Sequence, residues 1–171
     1  YIYERVSSKM VPCQCELGGK DPLYVADDIT DIKAVAAATA DGTFYNNGQS
    51  CCAVERIYVH EAVYEQYVSE FVQEVKSWKV GNPTEAGVYI GPLSRKSQIE
   101  FLEGQVKDAV RKGASVLTGG KAIKGEGYYF EPTVLTDVNH QMDVMREESF
   151  GPIIGIMKVR DDAEALNLMH D

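Results

Sequence analysis

Phe44-Tyr-Asn-Asn-Gly-Gln-Ser-Cys-Cys-Ala53 stands where a helical run gives way to a strand, Ile57-Tyr-Val-His60. In the helical run, residues 29–43, the positions Ile29, Ile32, Val35, Ala36, Thr39 and Ala40 recur at a spacing that puts them on one face. Its small residues let it approach a sheet closely. A tight loop at such a junction presents its side chains to a cleft. Gly48 can take backbone angles closed to other residues, Asn46 and Asn47 tolerate turns, and Cys51 and Cys52 arrive together as the strong nucleophiles nearby. Paired cysteines are more often inert packing than chemistry. On residue type alone the two sulfurs are equal candidates.

Working outward, residues 12–17 read as a short strand closed by Gly18-Gly19, and residues 23–26 as another, with Asp27 or Asp28 capping the helix that follows. A long helix is expected over residues 61–79, with Val63, Tyr64, Tyr67, Val68, Phe71, Val72 and Val75 on one face. That stripe is core packing. A third helix, residues 94–112, ends at Gly113. Strands follow at residues 114–118, 128–130, 133–135 and 153–159, with a charged loop at 121–127 and a last helix at 161–169. The alternation predicts an α/β fold, a three-layer sandwich with a mostly parallel sheet and helices on both faces.

The chain of 171 residues suits one domain with a sizeable core. Its net charge of −9 disfavours contact with a phosphate backbone, so nucleic acid is excluded as a partner. No apolar run approaches the roughly twenty residues that span a bilayer, and no charged-then-apolar leader precedes the first strand. No membrane partner and a soluble, cytoplasmic setting with free thiols are therefore expected. Cys13, Cys15, Cys51 and Cys52 give Cys-x-Cys and Cys-Cys spacings, and His60, His140 and His170 are scattered, so no metal site is expected. The opening Tyr1-Ile-Tyr-Glu-Arg-Val-Ser-Ser8 lacks an initiator Met and reads as the tail of a helix already under way, as in a piece of a longer protein.

Two further stretches bear on the cysteines. Cys15-Glu-Leu-Gly-Gly-Lys-Asp-Pro22 sets a carboxylate before a Gly-Gly turn, 35 positions ahead of Cys51, and Glu147-Glu-Ser-Phe-Gly-Pro152 comes near the end. In this order, and with Gly81-Asn-Pro83, Gly91-Pro92 and Phe130-Glu-Pro-Thr-Val134 between them, the motifs resemble the aldehyde dehydrogenase superfamily over essentially the whole chain. Cys15 departs from that pattern, which usually has an aliphatic or small residue before the glutamate. The resemblance implies that residues 1–171 are the catalytic domain, with the dinucleotide-binding domain and a carboxyl-terminal continuation absent. It also implies a small aldehyde substrate, NAD or NADP as cofactor with NAD favoured and held mainly by the missing domain, and a homo-oligomeric parent.

By that resemblance Cys51, two positions after Gln49, is the nucleophile and Glu16 the base. A thiolate attacks the carbonyl carbon, the oxyanion is stabilised by backbone N–H groups, and after loss of hydride a thioester remains for water to hydrolyse. Cys52 is expected to pack against the core, and Asn46 and Gln49 to hold the loop. For Glu16 the other reading is a carboxylate bonded to the Gly18-Gly19 turn. Glu148 and Phe150 carry over as cofactor contacts, against readings as a surface acid and a core staple, and Leu17 and Gly18 as backbone contacts near the nicotinamide. Gln98 stands on the adenosine side, although Phe101 replaces a polar partner there. The 171 residues alone are expected to be inactive. The competing readings are a thiol hydrolase using His60 as base and a non-catalytic domain of the same fold.

Overall fold

The structure, a computed structural model, describes residues 1–170. Its helices are α1 (Ile2–Ser7), α2 (Ile32–Phe44), α3 (Tyr64–Ser77), α4 (Lys96–Arg111), α5 (Asp143–Arg146) and α6 (Asp162–Met169). Its strands are β1 (Asp21–Val25), β2 (Val54–His60), β3 (Lys79–Val80), β4 (Val88–Ile90), β5 (Ser115–Thr118), β6 (Ala122–Ile123), β7 (Tyr129–Phe130), β8 (Thr133–Thr136) and β9 (Ile153–Val159). The main sheet has the order β1-β2-β9-β8-β5. All its neighbours run parallel except β5, which pairs antiparallel with β8.

The two-residue period of a strand sorts this sheet into two cores. Ile57 and Val59 of β2, Val134 of β8 and Ile154 and Ile156 of β9 meet Phe44, Tyr67 and Phe71 from α2 and α3. Tyr58, Leu135, Ile153 and Val159 point the other way, onto Leu102, Val106 and Met145 from α4 and α5 and Ala165 from α6. β2 and β9 are buried on both faces, so buried residues follow one another along each without alternation. The three-layer arrangement expected from the alternation is thus present.

Several local expectations are corrected. Residues 12–17 form no strand, because no neighbouring strand is there to take their backbone hydrogen bonds; Val11 and Leu17 lie in solvent. The cap of α2 is Asp31 instead of Asp27 or Asp28, since its carboxylate accepts from Ala34 N at 3.0 Å, at the third residue of the helix. Gly113 does end α4, with φ +106°: its own N–H bonds Val110 O, and that of Ala114 bonds Ala109 O, closing the last turn. The single turn α5, the pair β3–β4 and the strand β6 are too short to leave a periodic signal, while β7 falls within the strand expected at residues 128–130. Among the described residues no helix is long and apolar enough to cross a membrane.

The topology also explains how distant motifs meet. The Cys15–Pro22 motif leads into β1, the cysteine loop leads into β2, and the Glu147–Pro152 motif leads into β9. These are three adjacent parallel strands, so their amino ends lie side by side at one edge of the sheet.

Candidate active site

The cysteine loop is fastened from beneath. After α2 the backbone makes a tight turn in which Asn46, Asn47 and Gly48 have φ of 50°, 60° and 67°. Gly48 has to be glycine, because a Cβ there would strike the carbonyl of Gly151. Asn47 is buried and donates to Gly91 O at 2.7 Å and Pro92 O at 3.0 Å, while its carbonyl oxygen accepts from Gly91 N at 3.0 Å. Gln49 accepts from Ser94 N at 2.9 Å, and Asn46 and Gln49 each donate to the other's carbonyl, at 3.0 and 3.2 Å. These six hydrogen bonds tie the side chains of 46–49 to the backbone of Gly91–Ser94 or to the loop itself, which fixes where Cys51 emerges.

A second anchor lies under the Glu147–Pro152 motif. Glu55, on β2 and 5% exposed, accepts from Ser149 N at 2.9 Å, Phe150 N at 3.0 Å and Lys20 Nζ at 2.7 Å. Lys20 also donates to Ser149 Oγ at 3.2 Å, and Arg56 Nε donates to Lys20 O at 3.0 Å. Burial pushes the Lys20 ammonium down, opposed by the charge of Glu55 beside it. Gln98 donates to Ser149 O at 2.5 Å, so its amide nitrogen serves the loop. Sequence reading assigned nothing to Lys20, Glu55 or Ser149, and gave Asn47 only a tolerance of the turn. A lone acid beside the apolar run Ile57-Tyr-Val59, as Glu55 is, was the available signal.

Glu148 Oε1 accepts from Gly19 N at 3.0 Å, and a Cβ on Gly18, whose φ is +92°, would collide with the same carboxylate. The bond to the Gly-Gly turn that Glu16 could have made is therefore made by Glu148. Glu16 is exposed and stands at the wall of an open cavity of about 730 Å³. Leu17, Gly18, Cys51, Gln98, Glu148 and Phe150 line the same cavity, together with Gln49, Ser94 and Arg95. All seven residues singled out from the sequence meet there.

Cys51 and Cys52 separate. Cys51 is exposed on the cavity wall, whereas Cys52 is turned to a polar cluster outside it. Tyr45 donates to Ser50 Oγ at 2.6 Å, and Cys52 Sγ lies 3.2 Å from the Tyr45 hydroxyl and 3.3 Å from Ser50 Oγ. Hydrogen bonds to Ser50 and then Tyr45 hold the Cys52 thiol below its ordinary range, and the Tyr45 hydroxyl is pushed up by sharing its bond with Cys52. The expectation that Cys52 packs against the core is thus corrected: it is exposed because its polar neighbours lie on the outer side of the loop. Its thiol lies outside the cavity whose wall Cys51 and Glu16 share. No histidine lines the cavity. His60, the base a thiol hydrolase needs, sits at the far end of the seven-residue β2, ~20 Å from the loop that precedes the strand. Among the described residues no cluster of His, Cys, Asp or Glu suits a metal ion.

Comparison with known proteins bears on this constellation. A family model described as the aldehyde dehydrogenase family matches residues 1–171. The mitochondrial aldehyde dehydrogenase of Leishmania tarentolae is 40% identical over 156 residues, which cover 91% of this chain and 31% of that protein. The solved aldehyde dehydrogenase from Bacillus cereus, an E194S mutant, superposes with a TM-score of 0.93 at 31% identity, over 100% of this chain and 35% of that one. A 3,6-anhydro-L-galactose dehydrogenase in complex with NAP superposes at 0.90 with 40% identity, over 96% of this chain and 35% of that one. The chain spans about a third of the length of the curated relatives it matches.

Proposed function

Because the chain belongs to the aldehyde dehydrogenase family, we propose that it supplies the thiol and the carboxylate for the nicotinamide-dependent oxidation of a small aldehyde to a carboxylic acid. The observation that carries this reading is the meeting of Cys51 and Glu16, 35 positions apart in sequence, on the wall of one cavity with Glu148 and Phe150.

The cavity suits a dinucleotide at its reactive end. Glu148 spends one carboxylate oxygen on Gly19 N, and its other oxygen has no hydrogen-bond donor among the described residues, which leaves it to accept from ribose hydroxyls. Gly18, without a Cβ, lets the Glu148 carboxylate lie against the turn, and Phe150, 38% exposed, offers an aromatic face. When bound, the nicotinamide supplies an acceptor for hydride. NAD is the favoured form, and dinucleotide binding calls on surface beyond these 171 residues, so the chain alone is expected to be inactive.

Cys51, as thiolate, adds to the carbonyl carbon of the aldehyde. The carbonyl oxygen becomes an oxyanion, and backbone N–H groups of the tight turn are the donors at hand to stabilise it. Loss of hydride leaves a thioester on Cys51. Glu16 then takes a proton from water, the hydroxide attacks the thioester carbon, and the acid departs with regeneration of the thiolate. A base that acts on water needs reach more than rigidity, and Glu16 lies on an exposed stretch of irregular chain.

The test is the full-length protein assayed against a panel of aldehydes with NAD and with NADP, read by absorbance of the reduced ring. Turnover that disappears in Cys51→Ser and persists in Cys52→Ser is the expected result. No reduction of either cofactor across the panel, or turnover that survives Cys51→Ser, contradicts the reading.

A further inference from the structure

Cys13 and Cys15 take no part in the reaction proposed above, yet they stand immediately ahead of its base. Their sulfurs are 3.8 Å apart, with Cys15 exposed and Cys13 half-buried. Residues 11–20 carry neither helix nor strand. A disulfide requires sulfurs at about 2 Å, and a segment free of ladder hydrogen bonds can close that gap by backbone rotation. The hydrogen bond between the two thiols pushes the Cys13 thiol up, with burial and the charge of its neighbour adding to it. Two thiols 3.8 Å apart allow one to attack an oxidant and its neighbour to resolve the product. A ring closed over a single intervening residue gains little from loop closure and is strained, which makes such a bond readily reduced.

We propose that Cys13 and Cys15 form a reversible dithiol–disulfide site, oxidised by a small disulfide such as oxidised glutathione, and that its closure displaces Glu16. One cysteine thiolate attacks a sulfur of oxidised glutathione, breaking its S–S bond and releasing one reduced glutathione. The second cysteine, as thiolate, attacks the protein sulfur of the mixed disulfide and releases the other. Two protein thiols have then lost two electrons and two protons, and the glutathione pair has gained them. Glu16 follows Cys15 directly, so the rotation that joins the sulfurs carries its carboxylate relative to Cys51. This second part rests on the reading of Glu16 as the base.

The full-length protein is equilibrated with graded ratios of oxidised to reduced glutathione, quenched by alkylation, and mapped by peptide mass. In the expected result the peptide holding Cys13 and Cys15 becomes two hydrogens lighter, and acid production falls about tenfold, a fraction of what a general base contributes. Dithiothreitol restores both. Cys13→Ser keeps its activity under the same oxidation, which separates the pair from damage at Cys51. Cys13 and Cys15 remaining thiols, or holding glutathione without closing, overturns the site. A closed bridge with unchanged acid production, or equal loss in Cys13→Ser, overturns the coupling to Glu16. The thiol map needs no turnover, so it decides the pair even where the proposed oxidation fails.

Discussion

The loop that carries Cys51 and the stretch that carries Glu16 face one cavity but are built in opposite ways. The loop rests on buried Asn47, on a glycine pressed against Gly151, and on Gln49 bonded to Ser94 N. The Glu16 stretch has no regular element, leaves Leu17 89% exposed, and is fastened at its end by the bond from Gly19 N to Glu148. The difference fits the two roles proposed for them. A nucleophile must meet a carbonyl carbon within tenths of an ångström, whereas a base that activates water needs reach.

Removing the sulfur tests the ordered side most severely. Cys51→Ser is expected to lower kcat by ~10³-fold or more, while Cys52→Ser changes it by less than about fivefold, in steady-state assays of the full-length protein. Equal losses would return the two sulfurs to the tie that residue type alone leaves. Next comes Glu55→Ala, which strips the partner from buried Lys20 and the acceptor from Ser149 N and Phe150 N. A loss of about 3–5 kcal/mol in urea unfolding is expected, together with a raised KM for the dinucleotide. Asn47→Ala leaves the N–H of Gly91 without its acceptor and should cost about 1–3 kcal/mol, with kcat falling more than stability explains.

The smallest effect is in acid, away from both regions. Asp108 sits between Lys112 and Arg111 and accepts from Asp143 N; the bond from Lys112 is the chief cause that holds its carboxyl down at about 2. A carboxylate with a depressed native pKa stabilises the fold above its unfolded pKa and ceases to do so as pH falls. Discounted for the solvent around Arg111, the contribution is ~1–2 kcal/mol, lost between about pH 4 and pH 2. Asp108→Asn should flatten the stability profile across that window and leave the neutral-pH profile near the cavity unchanged.

What was legible in the sequence divides along the same line. The periodic segments, α2 to α4 and the apolar runs of β2 and β9, could be read because their burial pattern repeats along the chain. Six of the seven cavity residues could be read because they sit in three compact motifs, each ahead of a parallel strand; Gln98, on α4, came from the resemblance alone. Long-range polar pairing leaves no such trace. Nothing local tells that Glu148, and not Glu16, would take the N–H of Gly19, or that Glu55 would hold the backbone at Ser149. The strand expected over residues 12–17 has the right residues and no partner, and Cys52 looked apolar until Tyr45 and Ser50 were placed beside it.

The claim that the two regions act in sequence on one substrate is tested most directly by trapping. The full-length Glu16→Gln variant is mixed with aldehyde and oxidised cofactor, quenched in acid, and digested for peptide mass. The account predicts an acyl group on Cys51 that accumulates while release of acid slows by ~10²-fold or more. Rapid acid release by Glu16→Gln with no acyl group on Cys51 would contradict it.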